Sequence, residues 1–137
     1  MNDCLFCNII LGSIPSEKIF EDDVVCAFLD IHPVGKGHLL VVPKLHAENM
    51  FEQSEDSYAE LMRRVHMLAP HVRAVTGADG INIGMNNGKA AGQLIFHAHI
   101  HIIPRFLGDG HKHWSAIEYK EGEQALIANK MRNAISA

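Results

Sequence analysis

The chain has 137 residues, enough for one folded domain with a hydrophobic core, and its 47% hydrophobic and 20% charged residues are those of a globular protein. A net charge of -4 without a lysine- or arginine-rich run argues against a nucleic-acid polymer as partner. No apolar run approaches the roughly 20 residues of a membrane span, no secretory leader pattern opens the chain, and three cysteines make no disulfide framework; the expectation is a cytoplasmic protein.

In chain order, Cys4 and Cys7 come first, with the short spacing of a metal-ligand or redox pair. Leu5 to Leu11 carries an apolar stripe over about two helical turns, and Gly12 can close it. Lys18 to Glu21 and Val24 to Asp30 read as two strands joined by an Asp22-Asp23 turn, with Cys26 as a buried small hydrophobe. Pro33, Gly35 and Gly37 punctuate a loop, and His38 enters a strand that ends at Pro43. Lys44 to Phe51 has no assignable pattern. A long helix starts from Ser54, with Ser57 and Glu60 as an alternative capping box. Its stripe runs through Leu61, Val65, Leu68 and Val72 to a stop at Gly77, and Pro70 inside it is expected to kink the helix or interrupt its bonding.

Ile81 to Met85 reads as a further strand, followed by the glycine-rich loop Asn86 to Gln93. Leu94-Ile95-Phe96 then runs into His97-Ala98-His99-Ile100-His101-Ile102-Ile103, ended by Pro104. The two-residue period of a strand puts His97, His99 and His101 on one face and Ala98, Ile100 and Ile102 on the other. A final helix is read around Ala125 to Ile135. The expected fold is α+β, a single domain over residues 1–137. It has a mainly antiparallel five-stranded sheet, one long helix and short helices at both ends.

Two chemistries fit the histidine face. With Cys4 and Cys7, histidines can close a tetrahedral Cys2His2 metal site. Alternatively, a neutral imidazole whose second nitrogen is held as a donor is a competent nucleophile near pH 7. In that reading the N–H groups of the Asn86 to Gln93 loop can form an anion nest beside the neutral donors Asn86 and Gln93, with Lys89 solvated. This suits phosphoryl or nucleotidyl transfer through a phosphohistidine.

The run from His97 to Ile103 resembles the His-φ-His-φ-His-φ-φ signature of the histidine triad (HIT) family. Asp30-Ile31-His32-Pro33, Gly37-His38-Leu39-Leu40-Val41-Val42-Pro43-Lys44 and Gly92-Gln93 also stand at that family's spacing, so the likeness spans about residues 4 to 114. It implies a nucleotide cleft over the histidine strand and a homodimer whose sheets join. His99 is then the nucleophile on the α-phosphorus, His101 the phosphate-contacting histidine and proton donor, and His38 a supporting histidine. Asp30 is the ribose-binding carboxylate. Phe6, Phe28 and Ile31 line the base pocket, and Asn86, Gly92 and Gln93 lie on the phosphate side. In the zinc-bearing branch, Cys4, Cys7, His46 and His97 hold one structural Zn2+ per chain, and no cofactor enters the chemistry.

The implied activity is hydrolysis of purine nucleoside 5'-phosphate conjugates, such as dinucleoside polyphosphates, phosphoramidates or other adenylates, through a nucleotidyl-histidine. Nucleotidyl transfer and a nucleotide-binding adaptor acting through its dimer surface are the alternatives; His101, where transferases commonly have Gln, favours hydrolysis. Trp114 resembles a C-terminal tryptophan of the phosphoramidase branch. Leu94 departs from the family, which often has Ser or Thr there. The missing hydroxyl is expected to weaken proton delivery to an amine leaving group.

Overall fold

The computed structural model describes residues 3–137. Its elements run α1 (Leu5–Leu11), β1 (Lys18–Glu21), β2 (Val25–Leu29), β3 (Leu39–Pro43), α2 (Glu55–Thr76), β4 (Gly80–Gly84), β5 (Ile100–Arg105) and α3 (Glu123–Ser136). The five strands form one sheet in the order β1-β2-β3-β5-β4, each pair antiparallel. The fold is the expected α+β arrangement with one long helix.

β2 and β3 read as unbroken apolar runs because the sheet is covered on both faces. On one face Val25, Ala27, Leu39, Val41, Ile100 and Ile102 pack against Leu61, Val65 and Leu68 of α2. On the other, Cys26, Phe28, Leu40 and Val42 meet Phe6 and Ile9 of α1. Cys26 is fully buried in that layer, as its apolar neighbours foretell, and burial pushes its thiol pKa up.

The helix ends follow the sequence. Gly12 and Gly77 close α1 and α2 in the left-handed conformation, and Ser54 caps α2 by accepting from the Ser57 N–H. The alternative box on Ser57 is therefore not the one used. Helix α2 runs on through Pro70. Proline has no N–H to offer the His66 carbonyl, but both residues are solvent-exposed, so water can take that bond. The Asp22 turn is tied down by its carboxylate, which accepts from Val24 N, Val25 N and Arg64 Nε of α2.

One boundary differs from expectation in a way that matters for the site. Pairing in β5 starts at Ile100, not His97, and continues through Pro104 to Arg105. Two of the three residues before it spend backbone groups elsewhere: Ala98 N donates to Ala47 O, and His97 O receives the ring of His99. Pro104 is tolerated inside the strand opposite Ile81 of the edge strand β4.

The connection between β2 and β3 is held by two glycines. A Cβ on Gly35 would lie 2.8 Å from Pro104 O, and one on Gly37, at φ +99°, would lie 2.5 Å from Thr76 Cγ2. This close approach seats the loop against β5 and the end of α2. Beyond β5, α3 has no buried residue, and Met131 and Ile135 on it are exposed. The segment from Lys44 to Gln53 forms no helix or strand.

Leu61 is completely buried beneath the sheet. Leu61→Ala should lower unfolding free energy by about 3 kcal/mol, read as a lower urea midpoint at unchanged m-value.

Candidate active site and metal centre

Four expected ligands converge where α1, the segment after β3 and the approach to β5 meet. Cys4, Cys7, His46 and His97 bring one donor atom each to within 4.8 Å of the others. Cys7 Sγ lies 3.4 Å from His46 Nδ1 and 3.5 Å from His97 Nδ1, Cys4 Sγ lies 3.5 Å from His97 Nδ1, and the two imidazole nitrogens are 3.1 Å apart. A tetrahedral ion with bonds of about 2.3 Å to sulfur and about 2.0 Å to nitrogen spaces its donors about 3.3 to 3.8 Å apart. The cluster therefore has the size and donor set of a Cys2His2 metal centre.

Local structure sets each ligand. Cys4 caps α1, its sulfur accepting from the Cys7 N–H at 3.4 Å, so one helical turn brings both thiols to the same point. The His97 Nε2–H donates to Pro43 O at 2.8 Å, which leaves Nδ1 as the lone pair facing the sulfurs. Burial, reinforced by His46 and His99, pushes the His97 pKa down to about 4, so its ring is neutral and ligand-ready at pH 7. Cys7 is pushed the other way, to about 11, by burial and by Cys4. A divalent cation reverses that penalty by neutralising the two thiolates.

Beside this cluster, a cleft of about 500 Å³ opens above β2 and β5. His99 and His101 line it together with the Phe6 and Phe28 rings, and Asp30 and Asn86 add polar groups to the lining. Phe6 sits between the two cysteines in sequence and packs edge-on against both Phe28 and His99, with ring centroids 5.3 and 5.0 Å apart. Ile31 stands at the lip, 82% exposed.

Hydrogen bonds fix the protonation pattern of the cleft histidines. His99 Nδ1 is 2.7 Å from His97 O, which can only accept, so Nδ1 carries the proton and the Nε2 lone pair is free. The Val34 N–H donates to His38 Nδ1 at 3.0 Å, which puts the His38 proton on Nε2. His38 Nε2 lies 2.8 Å from His101 Nδ1, so His101 accepts there and carries its own proton on Nε2. A lone pair on His99 thus stands beside a donor on His101, their rings 5.0 Å apart. Burial lowers the pKa of His99, and burial with His99 and His38 pushes His101 down to about 4. Burial also lowers His38, against the opposing pull of Asp30, whose Oδ2 is 3.8 Å from Nε2.

Two expectations about the glycine-rich loop change. Gln93 is not on the cleft: it is 2% exposed, its Oε1 accepts from Gly88 N, and its Nε2 donates to Glu48 O and Ile95 O. It braces the loop against the segment after β3. The backbone N–H groups of Gly88, Ala91, Gly92 and Gln93 also bond within the loop, so they do not form the anticipated anion nest. Among the polar residues that line the cleft, the Asn86 amide and the His99 and His101 rings can meet a phosphate. Gly92, at φ +90°, lines the cleft beside Asn86, whose Nδ2 would be 3.5 Å from an added Cβ.

Other parts of the site lay outside the sequence reading. Ile9 and Ile14 contribute to the apolar wall, and the Val34 backbone sets the His38 tautomer. The stripe on α1 announced a buried face but not its neighbour. Leu94 borders the cleft and is 85% exposed, so no hydroxyl stands at that position. Trp114, 96% exposed, borders a second cleft of about 530 Å³ that His38 and His101 also line. Among the described residues no helix is long and apolar enough to cross a membrane.

Comparison with known proteins agrees with this geometry. Residues 12–108 match the model of the HIT domain. The chain is 45% identical to adenylylsulfatase HINT3 of Arabidopsis thaliana over 104 residues, 76% of this chain and 53% of that one. It is 44% identical to adenosine 5'-monophosphoramidase hnt1 of Schizosaccharomyces pombe over 105 residues, 74% of each. Among solved structures, a HIT family member from Bacillus subtilis superposes with a TM-score of 0.87 at 41% identity, covering 96% of both chains. A Zn-bound histidine triad family protein from Mycobacterium smegmatis does so with 0.78 at 33% identity, covering 99% of both. With its three-histidine run, its cleft and its Cys/His cluster in place, the chain belongs to the HIT-domain family.

Proposed function

We propose that the protein hydrolyses nucleoside 5'-phosphate conjugates through a nucleotidyl-histidine on His99. The observation that carries this is the paired protonation of the cleft histidines. His99 offers an unprotonated Nε2 because His97 O holds its Nδ1–H, while His101 offers Nε2–H because His38 supplies its Nδ1. A nucleophile and a hydrogen-bond donor side by side suit displacement at phosphorus.

In this reading the nucleoside lies between Phe6 and Phe28 on one side and Ile31 at the lip, and Asp30 accepts from ribose hydroxyls. Asp30 Oδ1 already accepts from the His32 N–H at 2.8 Å, which orients the carboxylate. His99 Nε2 attacks the α-phosphorus, forming the N–P bond as the bond to the leaving group breaks. The electron pair departs with the leaving group, whose developing charge meets the His101 Nε2–H. If the leaving group takes the His101 Nε2 proton, water then attacks phosphorus and returns a proton to that nitrogen as the N–P bond breaks and His99 Nε2 recovers its lone pair, so one water has been added across the original bond. The named activities of two relatives share an adenosine 5'-phosphoryl group and differ in what is attached, sulfate or an amine. That supports an adenylyl or similar purine moiety in the cleft and leaves the partner group as the variable.

The Cys4, Cys7, His46 and His97 cluster is proposed to hold one Zn2+, supported by its donor set and by the Zn-bound relative. With four protein ligands it has no open position for substrate, so zinc would tie α1 and the segment after β3 to the residues that carry His99. Reduced thiols of this kind suit a cytoplasmic setting. A homodimer is proposed through β4, which lies at the edge of the sheet next to a groove bordered by Met62, Ala69, Ile81 and Ile83.

His99→Ala should lower turnover of adenosine 5'-phosphoramidate by at least roughly a thousandfold while AMP binding stays measurable by calorimetry; activity near wild type would remove the mechanism. Elemental analysis should give about one zinc per chain. Cys4→Ala should lose it together with roughly 10 °C of Tm, whereas a zinc-free wild-type protein of equal Tm would refute the assignment. Leu94→Ser should raise the amide-to-sulfate rate ratio about threefold or more by restoring a hydroxyl donor, and an unchanged ratio would retire the role given to that position.

A further inference from the structure

The loop after β5 reaches the donor side of the cleft by a route that the proposed mechanism leaves unused. Arg105, the last residue of β5, forks onto the Asp109 carboxylate with Nε at 2.8 Å and Nη2 at 3.0 Å. Its Nη1 donates to Asn82 Oδ1 of β4 at 2.6 Å. Asp109 also accepts from Phe106 N and His111 N, and Arg105 Nη2 donates to His111 O. The Arg105 guanidinium and these N–H groups hold the Asp109 carboxyl far below the usual carboxylate range. The backbone of His111 is therefore bonded on both sides to a fixed ion pair. From that platform the His111 ring extends to Val34, its Nε2 being 3.0 Å from Val34 O. A carbonyl can only accept, so His111 Nε2 carries the proton.

Val34 is the residue whose N–H sets the tautomer of His38. It is 43% exposed, so packing alone does little to fix its orientation. The turn that follows is anchored, with His38 N donating to Gly35 O and Gly35 lying against Pro104 O. On the other side of the residue, the Val34 carbonyl is held by the His111 ring.

We infer that His111 is a positioning residue for the donor side of the cleft, holding Val34 so that Val34 N–H, His38 and His101 keep one protonation order. The chain of bonds runs His111 Nε2–H to Val34 O, Val34 N–H to His38 Nδ1, and His38 Nε2–H to His101 Nδ1. Without the first, Val34 is free to turn, His38 can carry its proton on either nitrogen, and His101 Nε2 is no longer obliged to be the donor. His111 itself touches no substrate in this scheme. The inference rests on the reading of His101 as the donor to the leaving group.

The test compares wild type, His111→Phe and His111→Gln, the glutamine returning an N–H near the position of Nε2. Two adenosine 5'-phosphoryl conjugates are used, one with an alkylamine leaving group that needs a donor and one with p-nitrophenolate that does not. His111→Phe should lower kcat on the amine conjugate about five- to tenfold, the size of one lost hydrogen bond, with KM within about twofold. Turnover of the nitrophenyl conjugate should change less than about twofold. His111→Gln should recover most of the loss. Imidazole ¹⁵N shifts should show His38 protonated on Nε2 in wild type and His111→Gln, and moved toward a mixed tautomer in His111→Phe. An unchanged His38 tautomer in His111→Phe, or an equal loss on both conjugates without rescue by glutamine, overturns the inference. If wild type turns over neither conjugate, the hydrolase reading fails, and the ¹⁵N shifts still decide whether His111 orders His38.

Discussion

His97 is the residue on which both centres depend. Its Nδ1 faces Cys4, Cys7 and His46, its Nε2–H is anchored on Pro43 O, and its own carbonyl holds the His99 Nδ1–H. One residue thus belongs to the metal cluster through its ring and to the cleft through its backbone. Phe6 repeats the connection from the other direction, flanked by two cysteines of the cluster and packed edge-on against the His97 and His99 rings. A displacement of α1 or of the segment after β3 would therefore be felt at the Nε2 of His99. A metal held by the four ligands would in this way steady the cleft without touching it.

The second constraint is electrostatic. His38, His97 and His99 are buried and His101 is half-buried, and desolvation is the leading reason that each titrates below the ordinary imidazole value. Neutral imidazoles can each donate at one nitrogen and accept at the other, so the group orders itself by hydrogen bonding and not by charge. Two carbonyls and one backbone N–H, those of His97, Pro43 and Val34, supply the boundary conditions. Every ring between them then has a single proton position that satisfies its neighbours. A phosphate entering this cleft meets directional donors and a lone pair, which suits recognition of its geometry more than of its charge.

Much of this was legible in the chain. The apolar runs of β2 and β3, the capped stripe of α2 and the cysteine pair on α1 specify the layers, because burial and helix-end bonding are local demands. The strand-like alternation from His97 to Ile103 also assigned the faces properly, with Ala98, Ile100 and Ile102 all buried. The start of β5 was not legible. Residues 97 to 99 have strand-like side chains, yet the His97 carbonyl goes to the His99 ring and the Ala98 N–H to Ala47 O, a partner on a segment with no pattern of its own. Gln93 misled for a related reason: a polar side chain beside a glycine-rich loop looks like a ligand donor, whereas Glu48 O, Ile95 O and Gly88 N needed a partner first.

The sequence by itself determined the family, the layers and the residue types of the site. A histidine triplet at period two, a Cys-x2-Cys pair and their supporting motifs are local patterns that carry chemistry wherever they fold. Only the tertiary structure decided which nitrogen of each histidine holds its proton. That depends on which carbonyl or N–H stands about 3 Å away, and those partners, Pro43, Val34 and His97 itself, are set by the pairing of segments far apart in the chain. The division of labour within the triplet follows from the same bonds: His97 turns to sulfur, His99 keeps a lone pair, and His101 is left as the donor.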